Sequence, residues 1–202
     1  MRFIEFDLRS DALCMGERTK GGLIRPCCRT IRYSQISGAL RKKFGVNEIH
    51  AAGYLVEDNG RNRTNQLIYS PRERVRGASK LPLQIEFLTN VHGKVYVLES
   101  SFTTAFPDRF EILMGAFIWK GLGACQLKKL SVVDAEPPRP GILRTRLPMN
   151  KLDVFNVRRV AKPVYGYLFE PTSPATGLYV LSLFEGSEVV APEFLVSPVQ
   201  RR

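Results

Sequence analysis

Apart from its arginines, the chain has few residues that could do chemistry. The histidines are His50 and His92, and the cysteines are Cys14, Cys27, Cys28 and Cys125. No two cysteines stand in a C-x-x-C spacing, so a zinc site would have to gather scattered ligands. The thiols read as structural or buried and free, and no metal or other cofactor is expected. Catalytic signatures are also absent. Gly93-Lys94 is followed by Val95, not by the Ser or Thr of a Walker A loop, and there is no G-x-S-x-G elbow and no H-E-x-x-H. Gly121-Leu122-Gly123 lacks the third glycine of a dinucleotide fingerprint. Nucleotide hydrolysis and acyl transfer lose support.

The arginines are the informative feature. Thirty Lys and Arg against nineteen Asp and Glu give a net charge of +11, concentrated in three windows. Residues 17–43 hold Arg18, Lys20, Arg25, Arg29, Arg32, Arg41, Lys42 and Lys43 against Glu17. Residues 61–80 hold Arg61, Arg63, Arg72, Arg74, Arg76 and Lys80 against Glu73, and residues 139–163 hold seven cations against Asp153. The windows together carry +18 and leave −7 for the rest of the chain. A solvated charged face mixes signs; single-signed windows repel themselves unless an anion compensates. Fifteen of the 21 window cations are arginines, whose planar fork suits phosphate oxygens and base edges. A polyanionic partner follows, with solubilising charge on loops as the bland alternative. A membrane surface is disfavoured, because no window forms an amphipathic helix with large apolar residues opposite.

The elements that must position these side chains can be read from periodicity. With 202 residues, 44% apolar and 24% charged, the chain is long enough for a real core and too apolar for wholesale disorder. Residues 3–8 alternate as a strand with Ile4, Phe6 and Leu8 on one face. Ser34 is expected to cap a helix from Gln35 to Phe44, which Gly45 ends. Residues 49–56 and 66–70 are expected to pair as a hairpin across Asp58-Asn59-Gly60, and Leu83–Leu88 with Lys94–Glu99 as another. At 109–119 the spacing of Phe110, Leu113, Met114, Phe117 and Ile118, with Asp108 as cap, predicts a helix, and Cys125–Val133 a strand. The resulting fold class is α+β: a ferredoxin-like (RRM-like) βαββαβ core over residues 1–133, with an inserted β-hairpin at about 49–70. Residues 134–149, with four prolines, read as a linker into a β-rich extension ending at 202, in which Val164–Glu170 and Leu178–Phe184 form a hairpin.

Two features of the 119–123 segment bear on nucleic acid. Gly121 and Gly123, with Lys120 alongside, could let backbone N–H groups approach a phosphate, or could simply stop a helix. Trp119, the only tryptophan, has two uses, stacking on a base or plugging the core behind the helix, and the second is the more ordinary.

Gln35-Ile36-Ser37-Gly38-Ala39-Leu40-Arg41, in the stretch from Arg25 to Arg41, resembles the segment by which CRISPR-associated RAMP proteins enter their first helix, roughly I-P-G-S-S-L-K-G-A-L-R. The second glycine and the A-L-R ending are kept, while Tyr33-Ser34 replaces the usual proline and glycine. The 110–125 stretch is similar to the superfamily's glycine-rich loop, and Leu183-Phe184-Glu185-Gly186-Ser187 resembles a terminal segment of several members. The resemblance implies a subunit that binds CRISPR RNA in a class 1, type III-like effector, beside backbone and large subunits. Three roles compete. Target-cleaving backbone subunits use an aspartate before the first helix, but residues 18–33 hold no acid, which leaves only Asp11. A maturation endoribonuclease would use a general base on the 2′-OH, for which His50 is the candidate, helped by Tyr33 and Lys43. The role that fits best is the non-catalytic one, capping the 5′ handle of the guide and nucleating assembly. In it Arg18, Lys20, Arg25, Arg29, Arg32, Arg41, Lys42 and Lys43 hold handle phosphates. Lys120, Gly121 and Gly123 approach the backbone, and Arg61, Arg63, Arg72, Arg74 and Arg76 reach the guide or a neighbouring subunit. A generic RNA-binding or scaffold protein is the remaining alternative. No apolar run approaches the roughly 18 residues of a membrane span, and the acidic, alternating start is unlike a signal peptide, so a cytoplasmic location is expected.

Overall fold

Alternation at the start of the chain makes the organising strand. In the computed structural model, which describes residues 1–16, 22–56, 60–72, 81–172 and 176–199, β1 (Arg2–Leu13) buries Ile4, Phe6 and Leu8 completely. The two-residue β2 (Ile24–Arg25) leads to α1 (Tyr33–Phe44). Five more strands complete the main sheet: β3 (Ala51–Leu55), β4 (Arg63–Tyr69), β5 (Leu83–Leu98), β6 (Arg109–Leu113) and β7 (Ala124–Asp134). The C-terminal part holds β8 (Arg139–Leu143), β9 (Leu147–Pro148), β10 (Arg159–Lys162), β11 (Tyr165–Pro171), β12 (Gly177–Leu183), β13 (Glu188–Ala191) and β14 (Val196–Ser197). The fold is α+β, mostly strands, with one α-helix among the described residues.

β1 runs antiparallel between β5 and β7, and β6 adds antiparallel outside β7. Along its other edge β5 carries β3 against Gly93–Val97 and β4 against Leu83–Thr89, end to end. The short β2 is parallel to β5. Helix α1 covers one face of this sheet, packing Ile36 and Leu40 against Ile4, Phe6, Leu8, Val95 and Val97. The Ser37 hydroxyl ties the helix to β3, donating to the Ala51 carbonyl at 3.1 Å and accepting from its N–H at 2.9 Å. Gly45 ends the helix in the left-handed region as expected, but the start differs. Arg32, not Ser34, occupies the cap position, and no side chain makes the cap bond.

Three expected elements are corrected. The helix expected at 109–119 is strand β6, followed by a tight loop with one 3-10 turn. Arg109-Phe110-Glu111-Ile112-Leu113 also has period two, and pairing with β7 buries Ile112 while Arg109, Glu111 and Leu113 stay exposed. The hairpin expected within 83–99 is one continuous strand: Thr89, Val91, His92 and Gly93 pair with β1. The hairpin expected across residues 58–60 does not form either, because β3 and β4 each pair with β5; residues 57–59 lie outside the described ones. At the junction the buried Asn62 acts as a substitute peptide. Its side chain donates to the Val56 carbonyl at 2.8 Å and accepts from the His92 N–H at 3.0 Å.

The C-terminal part covers the sheet face away from α1. Phe3, Ala52 and Tyr96 alternate with the helix-covered residues and form a second core with Leu143, Leu147, Phe155, Leu183 and Leu195. Residues 134–149, expected as a linker, hold β8 and β9. The hairpin of β11 and β12 is present as expected, with Tyr165 opposite Leu183 and Pro171 opposite Gly177. All four cysteines are unpaired; Cys14, Cys28 and Cys125 are buried, and burial pushes the Cys125 thiol up to about 12.

Candidate nucleic-acid interface

Where the C-terminal layer meets β3 and the β4 junction, a cleft of about 1020 Å³ opens, lined by Arg29, Arg61 and Arg144 with Thr30, Tyr54 and Asn62. One arginine comes from each of the three basic windows. Arg144, immediately after β8, is held by its N–H to the Leu195 carbonyl at 3.0 Å. Its guanidinium lies 3.4 Å from the centre of the Tyr54 ring. Tyr54 stacks on Tyr96, which stacks on Phe194, so the cation rests on an aromatic column. Burial, reinforced by Tyr54, pushes the Tyr96 hydroxyl well above its ordinary value. Arg61 donates to His92 Nδ1 at 2.5 Å, and His92 Nε2 lies 2.7 Å from Asp7. A guanidinium can only donate, so Nδ1 accepts and Nε2 carries the proton to Asp7. Burial alone would raise the Asp7 carboxyl, but the bonds from His92 and Arg9 outweigh it and hold it below the usual range. Arg29 is exposed and makes no ion pair with a described residue.

Among the described residues lining the cleft, the carboxylate is Glu185, and it is neutralised from within. Glu185 accepts from Arg146 at 2.6 and 2.7 Å and from the Thr30 hydroxyl at 2.9 Å. Burial would raise it, and these bonds overcome that and lower it. The described lining therefore sets three arginines against a single carboxylate that Arg146 already pairs. Guanidinium groups in this arrangement can take phosphodiester oxygens, while the side chains of Asn62 and Thr30 are used within the wall.

The remaining expected RNA contacts are placed as follows. Arg32 is spent internally: its NH2 group donates to the carbonyls of Met15 at 3.0 Å and Gly16 at 2.6 Å. Arg25 is half-buried on β2, Arg63 and Arg72 are exposed at the two ends of the β4 region, and Lys42 and Lys43 are exposed in the last turn of α1. Arg41 turns inward, donating to the Ile49 carbonyl at 3.2 Å and the Tyr33 hydroxyl at 2.9 Å. The glycine segment does not offer its amides, since Gly121 N–H goes to the Ile118 carbonyl at 3.0 Å and Gly123 N–H to that of Ala12 at 2.7 Å. Lys120 is exposed beside Tyr69 and Trp119. Trp119, whose more ordinary use was core packing, is 66% exposed. Arg18, Lys20, Arg74 and Arg76 lie outside the described residues. In the third window, Arg139, Arg146, Arg158 and Lys162 pair with acids of the chain.

The expected catalytic set comes together only in part. The Tyr33 hydroxyl sits 2.7 Å from His50 Nδ1. Arg41 donates to the same Tyr33 oxygen at 2.9 Å, so the phenol, the guanidinium and the imidazole form one hydrogen-bonded chain. Burial, with Lys151 and Arg41 nearby, lowers the His50 pKa and favours the neutral ring, whose Nδ1 is engaged by Tyr33. Burial raises the Tyr33 hydroxyl above its ordinary value, despite Arg41. Lys43, two residues past Arg41, lies across the helix from the Tyr33–Ser37–Arg41 row. Among the described residues, no group of His, Cys, Asp and Glu could hold a metal ion.

No protein-family model matches the chain, and no curated protein does. Solved structures match in fold. A chain in the cryo-EM structure of the Type III-B Cmr-beta bound to cognate target RNA and AMPPnP superposes with a TM-score of 0.60 and 11% identity, covering 94% of this chain and 86% of that one. A chain of the Type III-B Cmr-beta bound to cognate target RNA gives 0.58 and 12%, with the same coverage. The protein shares the fold of these CRISPR chains. A chain of a CRISPR RNA-guided surveillance complex matches at 0.50 and 15%, over 98% of this chain and 95% of that one. Among the described residues no helix is long and apolar enough to cross a membrane.

Arg144, Thr30, Tyr54 and Asn62 were not among the expected contacts. Arg144 carried a signal, its place in the third basic window. The others carried none, because their role comes from lying beside arginines distant in the chain.

Proposed function

We propose that this protein is a non-catalytic RNA-binding subunit of a class 1 CRISPR effector complex, which holds the 5′ handle of the guide RNA and nucleates assembly. The observation that carries the reading is the convergence of Arg29, Arg61 and Arg144, one from each basic window, on a single cleft whose carboxylate among the described residues, Glu185, is already paired. Phosphates are the anion such a cleft suits, and a single RNA strand supplies them in series. The fold likeness to chains of CRISPR assemblies supports the setting.

The order β7-β1-β5-β3, with α1 following β1, supports reading the main sheet as a ferredoxin-like, RRM-like core. In this reading β6 and its loop stand where the second helix would be, and the described residues beyond β7 form an extension closed over the sheet. Lys42, Lys43, Arg63 and Arg72 extend the cationic surface beyond the cleft towards the guide or neighbouring subunits.

The Tyr33–His50 contact favours a second reading, an endoribonuclease that attacks through the 2′-OH. It is the weaker one, because Tyr33 takes up His50 Nδ1 and leaves only Nε2 for a substrate, and Lys43 lies across the helix from the pair. One experiment separates the two. Purified protein is incubated without metal with repeat RNA, and binding is compared for guide RNA with and without its 5′ handle. The capping subunit leaves the RNA intact and prefers the handle; cleavage, or equal binding of both guides, contradicts it.

A further inference from the structure

We propose that Trp119 is a stacking platform for an unpaired RNA base, held out by a strained loop beside Tyr69 and Lys120; this rests on the RNA-binding reading above. Exposed tryptophans are costly in water, and this one is not an accident of a loose segment. The loop between β6 and β7 is tightly closed. Ala116 N–H bonds to the Cys14 carbonyl at 2.7 Å, Gly123 N–H to that of Ala12 at 2.7 Å, and Met114 N–H to that of Gly123 at 2.9 Å. Gly115 and Gly123 both have positive φ, and a Cβ on either would stand 2.4 or 2.2 Å from backbone oxygen. Phe117 also has a φ of +57°, a conformation that a bulky residue adopts only when its surroundings force it. Such strain collects at sites of use, and what this loop delivers is the indole.

The surroundings of Trp119 select the occupant. Tyr69 meets Trp119 edge-on at 5.7 Å between ring centres and anchors it to the small core around Ile85 and Leu122. The Lys120 ammonium lies over both rings, 4.2 Å from the Tyr69 ring centre and 4.7 Å from that of Trp119, so a cation sits against one face of the indole and a base would stack on the other. The sequence from 112 to 133 contains Lys120, Lys128 and Lys129 and no acid, and the exposed Arg72 follows Tyr69 by three residues. An exposed aromatic ring with an ammonium beside it fits a base and its phosphate; a purely apolar protein surface would offer the ammonium no anion. Stacking is tolerant of sequence, because every base has a π-face, so Trp119 adds affinity without reading a particular base.

The chain's only tryptophan reports directly on this site. The full-length protein is titrated at low salt with a labelled single-stranded RNA of about ten nucleotides, and with an abasic oligonucleotide of the same length. Trp119 emission should be quenched as the RNA saturates and unchanged by the abasic strand. Trp119→Ala should weaken RNA binding about 5- to 150-fold, while Trp119→Phe, which keeps a ring, should recover most of it. Neither substitution should alter binding of the abasic strand. Saturable RNA binding with unchanged emission and an unaffected Trp119→Ala variant would overturn the stacking site and leave the RNA-binding reading standing. Emission that responds to a partner subunit and not to RNA would also overturn it, in favour of a protein contact. Failure of the wild-type protein to bind either strand would bring down the functional reading itself.

Discussion

The guanidinium of Arg144 lies 3.4 Å from the centre of the Tyr54 ring. That contact joins the C-terminal layer to the main sheet and fixes one wall of the cationic cleft. Arg144→Ala should therefore cost on the order of 0.5–2 kcal/mol of stability, measured by denaturant titration. It should also reduce the steepness of the salt dependence of RNA binding by about 0.7, the share of one phosphate on a single strand. Arg144→Lys should keep most of the salt dependence and lose affinity, because a lysine keeps the charge but not the planar face.

Asn62 is expected to matter for folding more than its place beside a turn suggests. Its amide bridges Val56 and His92 where β3 stops and β4 begins. Asn62→Ala should leave the His92 N–H and the Val56 carbonyl unpaired and cost about 2–4 kcal/mol. Asn62→Asp should be no better, since it replaces the donor with a charge facing a carbonyl. Chemical denaturation of both variants checks this.

The pH dependence of stability should fall in two stages. His50 has a pKa lowered in the folded state, mainly by burial. The unfolded chain therefore binds its proton more readily, and stability declines as pH drops below about 6.5. Asp7 and Glu185 are also lowered, so their contribution is present above about pH 4 and is lost as pH falls through their folded values. His50→Asn should flatten the first stage and leave the second. Thermal melts across the range measure both. If the variant keeps the same upper decline, His50 is not its source.

Much of the architecture is legible in local pattern, and the misses have a physical cause. The alternation of Ile4, Phe6 and Leu8, the Ile36–Leu40–Phe44 stripe and the Tyr165–Leu183 hairpin are each decided by near neighbours. Phe110, Leu113, Met114, Phe117 and Ile118 satisfy a helical stripe, but Arg109–Leu113 satisfies a strand equally well, and the free edge of β7 decides between them. Thr89 to Gly93 resembles a turn and is held straight by β1 on one side and Asn62 on the other. The site is legible as charge and not as geometry. The three windows predict an anionic partner, yet nothing local reveals that Arg32 serves Met15 and Gly16 while Arg29, Arg61 and Arg144 share a cleft.

The incubation with repeat RNA has a structural counterpart. His50→Ala should cost stability, because Tyr33 loses its partner at 2.7 Å, without changing the amount of intact RNA recovered. A cleavage activity in the wild type that this substitution removes would instead favour the nuclease reading.

The measurement that bears most directly on the cationic cleft is the affinity for guide RNA as a function of salt, in the wild type and in the variant with Arg29, Arg61 and Arg144 all changed to alanine. With about six phosphates held, the plot of log K against log salt should have a slope near −4, so that raising salt from about 50 to 200 mM weakens binding roughly 300-fold. The triple variant should bind with a slope near −2. A wild-type slope near zero, or one the triple substitution leaves unchanged, would contradict the account.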